Sequence, residues 1–159
     1  MVKIADEKYM SLAIAKAREG IAKGQSPFGA CLVKSGNIVA CEHNHVRANN
    51  DPTAHAEIQA IRVATKKLKN FDSLIGATIY STCEPCPMCF AACYWAGISR
   101  IVYGSSISDS VAAGFAELTI TNLEMKKLGT SKIEITGGFL KQETNKLWEE
   151  WQKKLGLPY

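Results

Sequence analysis

His55-Ala56-Glu57 and, about thirty residues on, Pro85-Cys86-Pro87-Met88-Cys89 place one imidazole, two thiols and a spare carboxylate in a chain of 159 residues. Three ligands are what a catalytic zinc site needs, because the fourth tetrahedral position stays open for water; a structural site closes with four. Zinc between two thiolates and a neutral imidazole carries no net charge, so it acidifies water less than a site of three histidines does. A nearby base is then needed to help form the attacking hydroxide, and Glu57 is the candidate. Having taken that proton, Glu57 could return it to a ring nitrogen and then to a departing amine. The chemistry implied is hydrolytic.

The same stretch carries a rival reading. Cys83, Cys86, Cys89 and Cys93 follow the C-x2-C-x2-C-x3-C spacing of bacterial iron–sulfur electron carriers. Tyr94 stands where that run has proline, only Cys31 and Cys41 remain for a second cluster, and His55 and Glu57 have no part in it.

The elements that must hold these groups are legible in outline. Asp51-Pro52-Thr53 predicts a helix start, with a capping acid and a proline at the first turn, running from Pro52 to about Lys67. Glu84-Pro85-Cys86-Pro87 predicts a second start, reaching about Ala96 before Gly97. Cysteines three apart lie on one helix face and can grip one ion, and the positive helix end favours thiolates. His55 and Glu57 are two apart and can converge only at a first turn, so the two helix starts should face each other across the metal.

Upstream, Met10, Ala13, Ala17 and Ile21 recur at helical spacing, with Gly24 as terminator. Phe28 to Lys34 and Ile38 to His43 read as strands joined by Ser35-Gly36-Asn37, a hairpin signal. Thr78 to Ser81, Arg100 to Tyr103 and Ile133 to Thr136 read as short strands. Met125 to Leu128 looks helical, and Leu147, Trp148, Trp151 and Leu155 mark one face of a final helix. Strands alternating with helices predict an α/β fold of three layers, α/β/α, with a central mixed sheet. The whole chain, residues 1–159, reads as a single domain, without repeat, low-complexity tract or linker.

Composition narrows the class. At 47% hydrophobic the chain can bury one core. No segment reaches membrane length and the first ten residues mix charges with apolar residues, so a cytoplasmic location is the expectation. Six cysteines in such a chain suggest a reducing compartment, with thiols free or on metal. Net charge is +4, and the lysines come in short groups (Lys66, Lys67 and Lys69; Lys126 and Lys127; Lys153 and Lys154) that suit solvated helix faces; nucleic acid is not the expected partner.

H-x-E followed by P-C-x-x-C is the signature of the zinc nucleobase deaminases. The chain resembles the cytidine deaminase superfamily and, within it, the small bacterial guanine deaminases. The likeness runs from about Tyr9 to Phe115, through Pro27-Phe28-Gly29-Ala30, Asn50-Asp51-Pro52-Thr53 before His55, Ser81-Thr82-Cys83-Glu84 before Pro85, Tyr94-Trp95-Ala96 and Ala113-Gly114-Phe115.

The resemblance implies zinc on His55, Cys86 and Cys89, proton transfer by Glu57, and hydrolysis of a purine base, guanine to xanthine plus ammonia. Guanosine, cytosine, another aminated heterocycle or an adenosine in tRNA are the alternative substrates. It further implies substrate contacts from Phe28 and Trp95 on the faces of the base, from Asn44 on its edge, and from Ala56, Glu117 and Tyr159. Where the family has two aspartates this chain has Ala116-Glu117, so Glu117 would replace the second as acceptor for N1–H and the 2-amino group. Read without the resemblance, Phe28 and Trp95 are core aromatics, Asn44 a turn residue, Glu117 a surface carboxylate and Tyr159 part of a tail. A homodimer is also implied, with C-terminal segments that can be exchanged between partners.

Overall fold

A computed structural model describes residues 2–154. Five strands form one mixed sheet, β1 (Gly29–Lys34), β2 (Asn37–His43), β3 (Thr78–Cys83), β4 (Arg100–Ser105) and β5 (Glu134–Thr136), in the order β2-β1-β3-β4-β5. The β2-β1 and β1-β3 pairs are antiparallel, and β3-β4 and β4-β5 are parallel. Seven helices accompany them among the described residues: α1 (Val2–Ala22), α2 (Val46–Asn49), α3 (Ala56–Leu68), α4 (Pro87–Trp95), α5 (Ile107–Ala112), α6 (Asn122–Leu128) and α7 (Lys141–Lys154).

The alternation of the strands assigns each helix to a layer. Cys31, Val33, Tyr80 and Val102 face one cluster, completed by Met10, Ala13 and Ala17 of α1 and Leu147, Trp148 and Trp151 of α7. Ala30, Leu32, Ile79 and Ile101 point the other way, onto Ala60 and Ala64 of α3 and Phe90 of α4. A period of two puts successive residues on opposite faces, so one sheet carries two cores and the expected α/β/α sandwich results.

The hairpin turns through two residues rather than three. Lys34 pairs with Asn37, and Ser35 and Gly36 take φ of 49° and 76°. Positive φ at both central residues is what a type I′ turn requires. A one-residue register shift between Leu32 and Val33 then brings Cys31 directly opposite Cys41, with Cα atoms 4.1 Å apart, and the two are joined as a disulfide. This corrects the expectation that every cysteine is free or on metal: the spacing of ten residues gives no hint of pairing until the register is fixed.

The predicted start of α3 is also corrected. The Asp51 carboxylate accepts from the Thr53 N–H at 2.8 Å and the Thr53 hydroxyl at 2.7 Å. It therefore closes a local turn, the usual competing use of an aspartate, and α3 begins four residues later with His55 at the N-cap. The weakly patterned stretch after β4 contains α5, entered through a capping box in which Ser106 and Asp109 satisfy each other's backbone N–H. No described helix is long and apolar enough to cross a membrane.

Candidate active site

The site lies where β3 ends and two helices begin. β3 runs to Cys83, and the next residues climb to Cys86, the N-cap of α4, with Pro87 at the first turn, where its missing N–H leaves no bond unmade. His55 caps α3 in extended conformation. The two starts face one another: His55 Nδ1 is 3.7 Å from Cys86 Sγ and 3.6 Å from Cys89 Sγ. Bond lengths of about 2.05 Å to nitrogen and 2.3 Å to sulfur at a tetrahedral angle separate two such ligands by about 3.6 Å. The spacing thus fits a tetrahedral zinc with one position left over.

The protonation of this trio points the same way. Hydrogen bonds from Cys89 and His55 hold the Cys86 thiol down to about 4, although burial opposes this. The bond to Cys86 and burial push Cys89 upward. Burial disfavours the His55 cation, yet the Cys86 bond and the charge of Glu57 outweigh it and raise that pKa. The donors hold protons among themselves that a divalent ion would displace.

Glu57, in the first turn of α3, is buried and takes a hydrogen bond from the Ser81 hydroxyl at 2.9 Å; its other oxygen lies 3.5 Å from Cys89 Sγ. Burial raises its pKa against the pull of His55. A carboxyl so placed can accept a proton and hand it on. A cavity of about 280 Å³ opens in front, lined by Phe28, Pro52, His55, Glu57, Cys83, Glu84, Cys86, Phe115, Ala116 and Glu117.

The expected site residues separate on this wall. His55, Glu57, Cys86, Phe28 and Glu117 reach the cavity, and Cys89 is fully buried 3.6 Å from His55. Glu117 accepts from the Ser110 hydroxyl at 2.8 Å, and burial raises its pKa, so it is not a free surface carboxylate. Phe28 does double duty: it lines the cavity and packs edge-on against Phe115 at 5.1 Å and Trp148 at 5.5 Å.

Trp95 is 83% exposed and lines no part of this cavity. It closes α4 about 13 Å along the axis from Cys86, and at 100° per residue it points well away from Cys89. Phe115, from the motif Ala113-Gly114-Phe115, lines the cavity instead. Gly114, at φ 98°, makes the bend that turns Phe115 inward.

Asn44 is wholly buried, with Oδ1 accepting from the Val46 N–H at 3.0 Å, and Ala56 is buried in the first turn of α3; neither belongs to the cavity wall as described. Tyr159 lies outside the described residues. Through Lys154 the C-terminal segment packs on its own chain, α7 lying against α1 and β4. Cys83 and Cys93 are buried and stand outside the His55, Cys86 and Cys89 group, and Cys31 and Cys41 are bound to each other. The cysteines of the iron–sulfur spacing therefore do not converge as a cluster among the described residues.

A family model described as the cytidine and deoxycytidylate deaminase zinc-binding region matches residues 3–105. The chain belongs to that deaminase family. Hydrolytic deamination, rather than electron transfer, is its chemistry. The chain is 44% identical over 110 residues, 69% of its length and 70% of the relative's, to a guanine deaminase of Bacillus subtilis. It is 36% identical to a tRNA-specific adenosine deaminase of the same organism, over 87% of this chain and 83% of that one. Among solved structures, a guanine deaminase from Nitrosomonas europaea superposes with a TM-score of 0.83 at 29% identity, covering 91% of this chain and 83% of the other. His55, Cys86 and Cys89 fall inside the matched zinc-binding region, and the wall bearing Phe115 to Glu117 lies beyond it.

Proposed function

We propose that this deaminase converts guanine and water to xanthine and ammonia, using zinc held by His55, Cys86 and Cys89. The observation that carries the reading is Glu117: an acceptor lines the same cavity as the ligands, and guanine, unlike adenine or cytosine, presents N1–H and a 2-amino group together. The named activities of the relatives from Bacillus subtilis and Nitrosomonas europaea support it. Zinc, when bound, supplies the Lewis acid that lowers the pKa of water at the open position.

The residues divide the remaining work. Glu57 accepts one proton of the attacking water and passes it to N3 beside the carbon under attack; the hydroxyl proton of the resulting tetrahedral C2 then goes by way of Glu57 to the 2-amino group, which leaves as ammonia as C2 becomes a carbonyl. The Ser81 hydroxyl holds Glu57 in place. Phe28 and Phe115, packed edge-on against each other, form one apolar wall against the planar ring and exclude water, and Glu117 fixes its orientation through the guanine edge. Residues 1–159 act as one domain in this reading, and a second copy of the chain covers the exposed Tyr94 and Trp95 of α4; sedimentation at the mass of a single chain at micromolar concentration would end the dimer.

Ammonia release from guanine, guanosine, cytosine, adenine and an adenosine-bearing tRNA anticodon stem is the test. Guanine should be turned over fastest by at least roughly a hundredfold, since a site built to pair donors rejects analogues that lack them. The tRNA arm matters because one relative acts there, and preference for it would replace guanine as the substrate.

A further inference from the structure

Glu84 lines the cavity but has no part in the chemistry described so far, and both of its carboxylate oxygens are tied to backbone amides. It is 5% exposed, two residues before Cys86 and just past the end of β3. Its backbone N–H donates to the Ser105 carbonyl at 2.7 Å. One carboxylate oxygen accepts the N–H of Ile107 at 3.1 Å and the other the N–H of Asn122 at 2.8 Å. Those two residues open α5 and α6, and N–H groups at helix starts have no acceptor within their own helix. Asn122 adds a second tie through its amide, which donates to the Pro85 carbonyl at 2.6 Å. The Tyr103 hydroxyl also faces the carboxylate; burial and that charge push it up to about 12.

The chain between the two anchored amides carries Phe115, Ala116 and Glu117, which line the cavity, and Ser110, which donates to Glu117. We propose that Glu84 is a positioning residue for substrate recognition: from inside the cysteine loop, its single carboxylate fixes both ends of the segment that bears Phe115 and Glu117. The metal loop and the base-reading wall are thereby locked in one register, although they come from separate parts of the chain. This rests on the cavity being where the base binds, but not on which base it is.

Glu84→Gln keeps the volume and one acceptor, but turns an NH2 group toward an amide that needs an acceptor, so one anchor fails. The holoenzyme should keep one zinc per chain. KM for whichever base the wild type deaminates should rise roughly tenfold or more while kcat changes less than about threefold, the pattern of lost substrate positioning. Hydrogen exchange at Ile107 and Asn122 should quicken by roughly tenfold while the amides of α3 and β3 keep their protection. Asn122→Ala, which removes only the tie to Pro85, should move KM and local exchange in the same direction, and it decides the matter should Glu84→Gln fail to fold. An unchanged KM, or exchange that quickens through the whole sheet together with loss of zinc, would overturn the proposal. The exchange measurement needs no substrate, so an error in the guanine assignment would show itself separately, as activity on another base with the local loosening intact.

Discussion

At the scale of single residues, the ligands and the acid were legible because the motif is compact. His55 and Glu57 converge only at a helix start, and the structure puts them at the N-cap and in the first turn. Glu57→Gln should keep zinc and fold while kcat falls by about 10²–10⁴, the typical worth of a positioned acid/base; Cys86→Ser, as the contrast, should lose metal. Near-normal turnover in the glutamine variant would move the proton transfers to another group. Glu117→Gln asks which base is read. It should depress guanine deamination by roughly 1–3 kcal/mol, about five- to 150-fold, through a lost acceptor, with adenine and cytosine hurt less. Equal losses on all bases would leave Glu117 a scaffold residue held by Ser110. Trp95 and Phe115 were not separable by sequence: both aromatics sit in family-like motifs, and only the phase of α4 and the bend at Gly114 decide which one faces the cavity.

Elements were legible where periodicity was strong and obscure where a local polar bond competed with it. Asp51 and Thr53 look like a cap in sequence, but their side chains close a turn, and α3 starts late. α5 was missed because six residues are too few to show a period; its Ser106 and Asp109 box was the available signal. The contact between α1 and β1 was hidden for a different reason. Gly29 stands so close to α1 that a Cβ there would overlap the Ala13 carbonyl oxygen and crowd the Ala17 N–H at 2.7 Å. Both neighbours are backbone of a regular helix, which cannot yield as a side chain can. Gly29→Ala should therefore cost about 1–3 kcal/mol as an overpacking substitution, lowering Tm by roughly 2–4 °C per kcal/mol in a chain of this size. A melting temperature equal to wild type would mean that α1 is free to shift away from the sheet.

Over the whole molecule, α1 is held to the far side of the sheet by charge as well as by packing, and this was invisible in the sequence because the partners stand nearly a hundred residues apart. Asp6 receives two hydrogen bonds from the Arg100 guanidinium, at 3.0 and 2.9 Å, and a third from the Tyr80 hydroxyl. Burial alone would raise its pKa, but the bonds from Arg100 and Tyr80 outweigh that and hold it below the ordinary aspartate value. A carboxyl whose folded pKa is depressed stabilises the fold fully above its unfolded pKa, about 3.9. That contribution drains away as pH falls through the lower folded value, because the unfolded chain takes up the proton first. Asp6→Asn should thus lower Tm at pH 7 by an amount matching roughly 3 kcal/mol, the low end for breaking a buried ion pair. The gap between wild type and variant should stay constant down to about pH 5 and narrow below about pH 4. Thermal melts of both proteins across that range check it: a gap independent of pH would mean that Asp6 contributes through its shape and neutral hydrogen bonds, and that α1 is fastened to the sheet by packing alone.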